Sequence, residues 1–282
     1  MTKRLHLAPI ALLLVSATWG ATFVLMKTAI EREDVNSFLF TRFALAVIAM
    51  IILRPQVVKR FSKDLLFKGF LAGCFLGSGY ILQTLGLART SAAVTGFVTG
   101  LYVVATPLIA AILLHEKITK KIWICVLVAT GGLALLSFHG WSVGSGELLV
   151  LGSAIAFAAH IIALGQWSSG RDPYALTIIQ LATCAILSGL ASLIKGYHPP
   201  PDGGVWGVVI FTAIFATAIA FIVQTWSQAH LPATKVAVIL TMEVVFAALF
   251  AIVFGGEILT FQIALGGTLV VTAMYFIVLA QP

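Results

Sequence analysis

Of 282 residues, 60% are hydrophobic and only 10% charged, against about 45–50% and about 25% in ordinary soluble domains, which excludes a soluble globular enzyme and places the chain in lipid. The net charge of +7 invites a nucleic-acid partner, but the basic residues sit in short gaps between apolar runs, without a clustered patch or interleaved aromatics, so no nucleic acid is expected. Cys74, Cys125 and Cys184 each fall inside an apolar run and read as small buried hydrophobes, neither a disulfide framework nor a metal site.

A helix needs about 20 apolar residues to cross the hydrocarbon core. Ten runs approach that length, at 7 to 27, 37 to 54, 66 to 87, 92 to 114 and 121 to 138 in the first half, and at 147 to 167, 174 to 194, 206 to 228, 232 to 254 and 260 to 280 in the second. The fold class expected is an all-α integral membrane protein of ten transmembrane helices. Lys3 and Arg4 precede the first run as in a signal peptide, but the run is too long and no small-residue cleavage site follows, so it reads as a retained span. With the N-terminus inside, 12 Lys and Arg fall in cytoplasmic segments and 4 in outer ones, and Arg42 lies within a span. Short cytoplasmic loops retain positive charge, so both termini are expected in the cytoplasm. The connections leave no room for a soluble domain, and function must reside in the bundle or at its mouths.

Taken in chain order, the polar groups inside the spans are the functional candidates, because they are costly in lipid. Trp19 lies mid-way along the first span. Arg42, in the outer third of the second, reads as structural, snorkelling outward or bonding a carbonyl. On the third span Gly69, Gly73 and Gly77 recur every four residues, a spacing that lets helix backbones approach, and Tyr80 and Gln83 are polar groups near its outer end. Thr95, Thr99, Tyr102 and Thr106 form a hydroxyl stripe on the fourth span, expected to face a water-filled cavity unless the hydroxyls bond their own helix. Pro107 should kink that span, whereas Val244 to Ala248 on the ninth span offer no matching proline, so the halves should differ in shape there.

His160 falls near the middle of the sixth span, either a satisfied interior group or part of a cavity wall. Trp167, further along, reads as an interfacial belt residue. Gln224 and Gln228 add amides near the inner end of the eighth span. Glu243 sits at the centre of the ninth. It reads either as a cavity group that holds a substrate amine or carries a proton, or as a structural carboxyl bonded to a neighbouring helix.

The stretch from Tyr80 to Thr119 is written again from Phe221 to Thr260, without a gap, at a displacement of 141 residues. Gln83 meets Gln224, Thr84 meets Thr225, Ala88 meets Ala229 and Glu116 meets Glu257. The same displacement pairs Trp19 with His160 and Tyr102 with Glu243. A self-match over half the chain is read before any other feature. Five spans per copy is an odd number, so the second copy, residues 141 to 282, must enter from the opposite side to the first, residues 1 to 140, as inverted repeats related by a pseudo-two-fold axis in the membrane plane.

The run GLARTSAAVTGFVTGLYVVATPLIAAILLHEKIT, its counterpart QTWSQAHLPATKVAVILTMEVVFAALFAIVFGGEILT, Trp19-Gly20 and Arg42-Phe43 together resemble the drug/metabolite transporter superfamily in its ten-span EamA-type exporter branch. The resemblance covers essentially the whole chain. It implies an inner-membrane exporter of amino acids or related metabolites, closest in kind to the YddG-like aromatic amino-acid exporters. The family commonly carries Glu-Pro-Val on the ninth span where this chain has Glu243-Val244-Val245, which leaves a kink there without its proline.

The expectation is therefore a monomeric alternating-access carrier in the lipid bilayer. Its central cavity is lined by spans one, three, four, six, eight and nine, with Trp19, Tyr80, Gln83, Thr99, Tyr102, His160, Gln224 and Glu243 touching a small-molecule substrate. Such a lining suits a zwitterion with an apolar side chain. Efflux of cationic drugs, with Glu243 as counter-charge, is the rival within transport, and a receptor or scaffold without flux is the rival outside it. Nucleotide sugars would need paired interior Lys or Arg. An intramembrane enzyme would need a nucleophile with its base or a metal cluster, and neither spacing occurs; no catalytic residue, metal or other cofactor is expected.

Overall fold

The computed structural model describes residues 2–90, 92–137, 144–255 and 258–279. Among them there is no strand. The helices are α1 (Thr2–Ile30), α2 (Val35–Leu53), α3 (Lys63–Leu87), α4 (Ala92–Gly100), α5 (Tyr102–Leu113), α6 (Lys120–Ser137), α7 (Ser145–Trp167), α8 (Pro173–Lys195), α9 (Gly203–Ala213), α10 (Ala220–Gln228), α11 (Ala233–Leu240), α12 (Met242–Gly255) and α13 (Phe261–Leu279). A 3₁₀ turn, Pro55–Arg60, follows α2, and a π-helical turn, Ile214–Ile219, joins α9 to α10.

Among the described residues, eight helical stretches are long and apolar enough to cross a membrane, including Val94–Leu113, Gly203–Gln228 and Ala233–Phe250, each of which runs through a local break, and Ala264–Phe276 is a shorter apolar stretch. Hydrocarbon offers no partner for a free backbone group, so helix is the form these runs take and their ends must be satisfied at the mouths. Asp34 caps α2 by accepting from the Asn36 and Ser37 amides, Ser62 caps α3 through the Leu65 amide, and Asp172 and Asp202 cap α8 and α9. Two of these carboxylates, Asp172 and Asp202, together with Asp64 and Glu147, also knit the connections together. Arg54 and Arg60 reach Asp172 at 3.3 and 3.0 Å, and Arg171 reaches Asp64 at 2.7 Å. Arg32 pairs with Asp202, and Thr90 bonds Glu147 at 2.6 Å. The turns after α2 and α7 thus share one set of ion pairs, and the turns after α1 and α8 share another.

Large apolar side chains such as Leu14, Ile52, Ile112, Leu127, Ile155 and Ile194 point outward, while Arg42, His160, Gln180 and Glu243 are buried, the distribution of a bundle solvated by lipid. Inside, α3 lies against α7 and α8, α2 against α8, α1 against α12, and α6 against α13. Gly69, Gly73 and Gly77 all face α8: a methyl group at Gly73 would stand 2.6 Å from the Thr183 Cβ and 2.7 Å from the Gln180 carbonyl oxygen. That is the close approach their spacing predicts.

Two details depart from the sequence reading. The fourth span breaks at Leu101, ahead of Pro107, where the Leu101 amide bonds Val98 three residues back. The ninth span breaks at Thr241 with no proline at all, its hydroxyl taking the Val238 carbonyl at 2.6 Å. A hydroxyl in the backbone ladder bends a helix as a proline does, so the two halves are broken at matching places where unlike shapes were expected. Trp167 is half-buried and packed against the larger core cluster. Glu257, matched by the repeat with Glu116, lies outside the described residues.

Candidate functional site

A cavity whose empty space, open solvent included, is about 620 Å³ lies at the centre of the bundle, a concave and mostly apolar place of the kind that takes small molecules. Trp19, Tyr80, Gln83, Thr99, Tyr102, His160, Gln224 and Glu243, the eight residues singled out from sequence, all line it. They come from α1, α3, α4, α5, α7, α10 and α12. The second span, not expected in the wall, contributes Arg42.

Close packing sets the positions of these groups. Gly20 lies against α12 so tightly that a Cβ would stand 2.6 Å from the Glu243 carbonyl oxygen and 2.7 Å from the Ala247 nitrogen. This explains the Trp19-Gly20 pair: glycine brings α1 onto the Glu243 turn, and the neighbouring indole then reaches the π-helical turn, donating from Nε1 to the Ala216 carbonyl at 2.8 Å. The Trp19 ring tilts on Phe221 with centroids 5.4 Å apart. Tyr80 meets Phe43, Phe157 and Phe221 edge-on at 5.2, 5.3 and 6.0 Å, so much of the wall is an aromatic cage.

The polar groups bond in pairs across helices. Tyr102 donates to Glu243 Oε1 at 3.3 Å, joining residues 141 apart. Both stand just past their helix breaks, which turns their side chains inward. Gln83 donates to Thr99 at 3.1 Å. His160 Nε2 donates to Gln180 Oε1 at 2.7 Å, so it is both a satisfied interior group and part of the wall. Gln224 donates to Gln228, which donates to the Ile161 carbonyl, and this leaves the buried Gln224 Oε1 without a partner. Thr95 and Thr106 are buried outside the lining, so only the Thr99 and Tyr102 part of the hydroxyl stripe meets the cavity.

Of the two arrangements expected of Arg42, snorkelling outward or bonding a carbonyl, the second is the one found: the side chain is 1% exposed and held from several sides. Nε donates to Thr217 Oγ1 at 2.7 Å, Nη2 to the Ala216 carbonyl at 3.3 Å and Nη1 to Met26 Sδ at 3.2 Å. Its Cζ lies 5.0 Å from the Tyr80 ring centroid. The π-helical turn supplies two of these acceptors, and nothing in the local run IFATAI announces it. Phe221 was within reach of the sequence, because the displacement that pairs Tyr102 with Glu243 also pairs Tyr80 with Phe221. With Trp19 and His160, Gln83 and Gln224, and Thr99 and Leu240, five pairs of lining residues stand 141 apart.

Outside the spans, Glu33 is buried in the turn between α1 and α2 with neither carboxyl oxygen hydrogen-bonded. Burial, and next the charge of Asp34, push its carboxyl up to about 7. At the far end of α8, backbone amides of α9 and the Arg32 guanidinium hold the Asp202 carboxyl below the ordinary carboxylate range.

Comparison with known proteins extends the picture over the whole chain. A profile of the EamA-like transporter family matches twice, over residues 6–138 and 144–279. An uncharacterized transporter of Archaeoglobus fulgidus is 32% identical over 98% of this chain and 86% of its own length. The pseudopaline exporter CntI of Pseudomonas aeruginosa is 24% identical over 92% of each. A crystal structure with 19% identity superposes with a TM-score of 0.75 over 96% of this chain and 94% of its own, which shows a shared fold. A multi-pass membrane bundle around a central cavity, matched by one transporter family over nearly its entire length, has a plain assignment: the chain belongs to the EamA-like transporter family.

Proposed function

We propose that the protein exports amino acids with aromatic or apolar side chains, and related small metabolites, across the inner membrane by alternating access through the central cavity. The observation that carries this reading is the set of five lining pairs 141 residues apart, with Tyr102 and Glu243 in direct contact. Residues equivalent under a two-fold rotation touch where they meet the axis. The contact therefore supports two inverted five-helix repeats, 1–140 and 141–282, with α6 and α13 as fifth and tenth spans and both termini cytoplasmic. Rocking one repeat against the other would then open the same cavity to either side in turn. The aromatic cage suits an apolar side chain, and Glu243 orients the substrate amine. The outward direction agrees with CntI, itself an exporter. The carrier acts as a monomer and performs no chemistry on its cargo. The buried acid at Glu243 also favours a second reading, efflux of cationic drugs.

Proteoliposome flux tests this directly. Radiolabelled phenylalanine or tryptophan should accumulate faster than in protein-free vesicles, and Trp19→Ala, Tyr102→Ala and His160→Ala should change rate or preference while the protein stays folded. Flux of an organic cation with none of any amino acid would put the second reading in place of the first, and flux of neither would leave a receptor or scaffold. For topology, a reporter fused after Pro282 should be active only if it works in the cytoplasm; activity of a periplasmic reporter there would reverse the orientation.

A further inference from the structure

Arg42 is a buried guanidinium on the wall of a cavity, and all of its bonding partners are neutral. It donates to a threonine hydroxyl, a backbone carbonyl and a thioether, and it lies near the Tyr80 and Phe43 rings at 5.0 and 5.6 Å. Among the described residues no carboxylate stands within ion-pair distance of it, although five such pairs occur elsewhere, all toward the ends of the spans. Glu243, the other charge-bearing group on the cavity, is bonded to Tyr102 instead. An arginine stays charged in proteins. A buried charge with no counter-charge is costly, and neutral acceptors with ring faces offset that only in part. A neutral residue would be the cheaper choice for a purely structural bond to a carbonyl. The planar fork of arginine differs from it, and from lysine's point charge, in matching a carboxylate through two parallel N–H bonds.

We propose that Arg42 is the anion subsite of the cavity and that its missing counter-charge arrives with the cargo: the molecules carried are small organic acids or zwitterions whose carboxylate docks on the Arg42 guanidinium, with any amine toward Glu243. This rests on the cavity being the transport site and narrows its substrates to carboxylate-bearing molecules. Thr217 and Ala216 of the π-helical turn and Met26 of α1 hold the fork against rotation, and the carboxylate takes the in-plane N–H bonds that these three leave, in place of the Tyr80 side chain. Tyr80, which interacts electrostatically with both Arg42 and Glu243, lines the same cavity. Occlusion of the empty cavity would enclose an uncompensated charge. With a carboxylate bound that penalty falls, which favours closure around the right cargo.

The test is ligand-induced thermal stabilisation of the purified full-length protein in detergent, with paired probes that differ only at the carboxylate: phenylalanine and phenylalaninamide, leucine and leucinamide, tryptophan and tryptophanamide, and 3-phenylpropionate as an acid without an amine. At least one acid should stabilise the wild type with an apparent affinity tenfold or more above its amide, and 3-phenylpropionate should compete with it. Arg42→Gln should lose that affinity tenfold or more, and Arg42→Lys should fall between, because an ammonium keeps the charge but not the fork. The wild-type acid-against-amide comparison stands even if a variant fails to fold. Amides that stabilise as well as acids, acids that leave the wild type unmoved, or undiminished acid affinity in Arg42→Gln would each overturn the proposal. Flux separates it from the reading beneath it: acids that bind but are not carried would strike out transport and leave the subsite, whereas equal flux of acids and amides would strike out the subsite and leave transport.

Discussion

The crossing of α3 on α8 and the crossing of the α9–α10 span on α2 are the same crossing in the two halves, related by the displacement of 141, yet they are built in opposite ways. In the first, Gly73 admits α8 so closely that not even a methyl group fits, and Thr183 spends its hydroxyl on its own Ile179 carbonyl at 2.9 Å. In the second, Ile214 stands at the place of Gly73 and Arg42 at the place of Thr183. There the helix loosens into the π-helical turn, whose Ala216 carbonyl and Thr217 hydroxyl receive the guanidinium. A duplicated scaffold thus keeps one crossing for packing and opens the other to hold a charge. The asymmetry places a cation on one wall of a cavity whose remaining lining is largely paired between the halves.

The largest effect is expected at the tight crossing. Gly73→Leu drives a side chain into backbone that has no room for it, and overpacking of this kind costs about 1–3 kcal/mol or more, so little monodisperse protein should survive size-exclusion chromatography. Ile214→Leu at the matching place should survive. Equal recovery of the two variants would dissolve the contrast between the crossings.

Next comes the charged crossing. Thr217→Val keeps the shape but leaves Arg42 Nε unbonded, which costs about 1–3 kcal/mol for a buried polar group. It should lower the melting temperature clearly, whereas Thr183→Val, which loses a bond only within its own helix, should lower it much less. The reverse ranking would show that Thr217 does not hold the guanidinium.

The pair at the centre sharpens the comparison functionally. If Glu243 orients an amine, Glu243→Gln should weaken apparent substrate affinity about tenfold, as expected for loss of a charge-assisted bond of about 1.5 kcal/mol or more, and flux should respond to an imposed pH gradient as the wild type does. Gradient-driven flux in the wild type that vanishes in the variant would instead identify Glu243 as a proton-coupling group.

The smallest effect lies at the helix ends. The turn before α8 satisfies Asp172 with two arginines and two amides, while the turn before α2 leaves the buried Glu33 carboxyl without a hydrogen bond. Its carboxyl is raised from 4.5 to about 7 in the folded protein. Between those values the folded state binds a proton that the unfolded chain has released, so stability falls as pH rises from about 4.5 to about 7 and levels off above. Glu33→Gln should remove that fall and melt higher than the wild type at pH 8. Parallel melting curves for the two proteins from pH 4.5 to pH 8 would show that Glu33 is not buried in the folded protein.

Apolar runs, the charged gaps between them and the displacement of 141 are properties of the chain itself, because crossing hydrocarbon takes about 20 apolar residues whatever they pack against and a repeat survives in the residues that define it. That is why Trp19, Tyr102, His160 and Glu243 could be placed on one cavity before any helix was positioned. Tertiary structure alone decided which polar groups meet the cavity and which are buried beside it. Thr99 and Thr106 share a stripe, yet only Thr99 reaches the lining, because the break at Leu101 turns the two segments against different neighbours. Arg42 reads as snorkelling or structural until the π-helical turn, 175 residues away in sequence, brings Thr217 Oγ1 to 2.7 Å. The physical reason is that a charge inside a membrane goes where long-range acceptors stabilise it, and those acceptors exist only once the helices have packed.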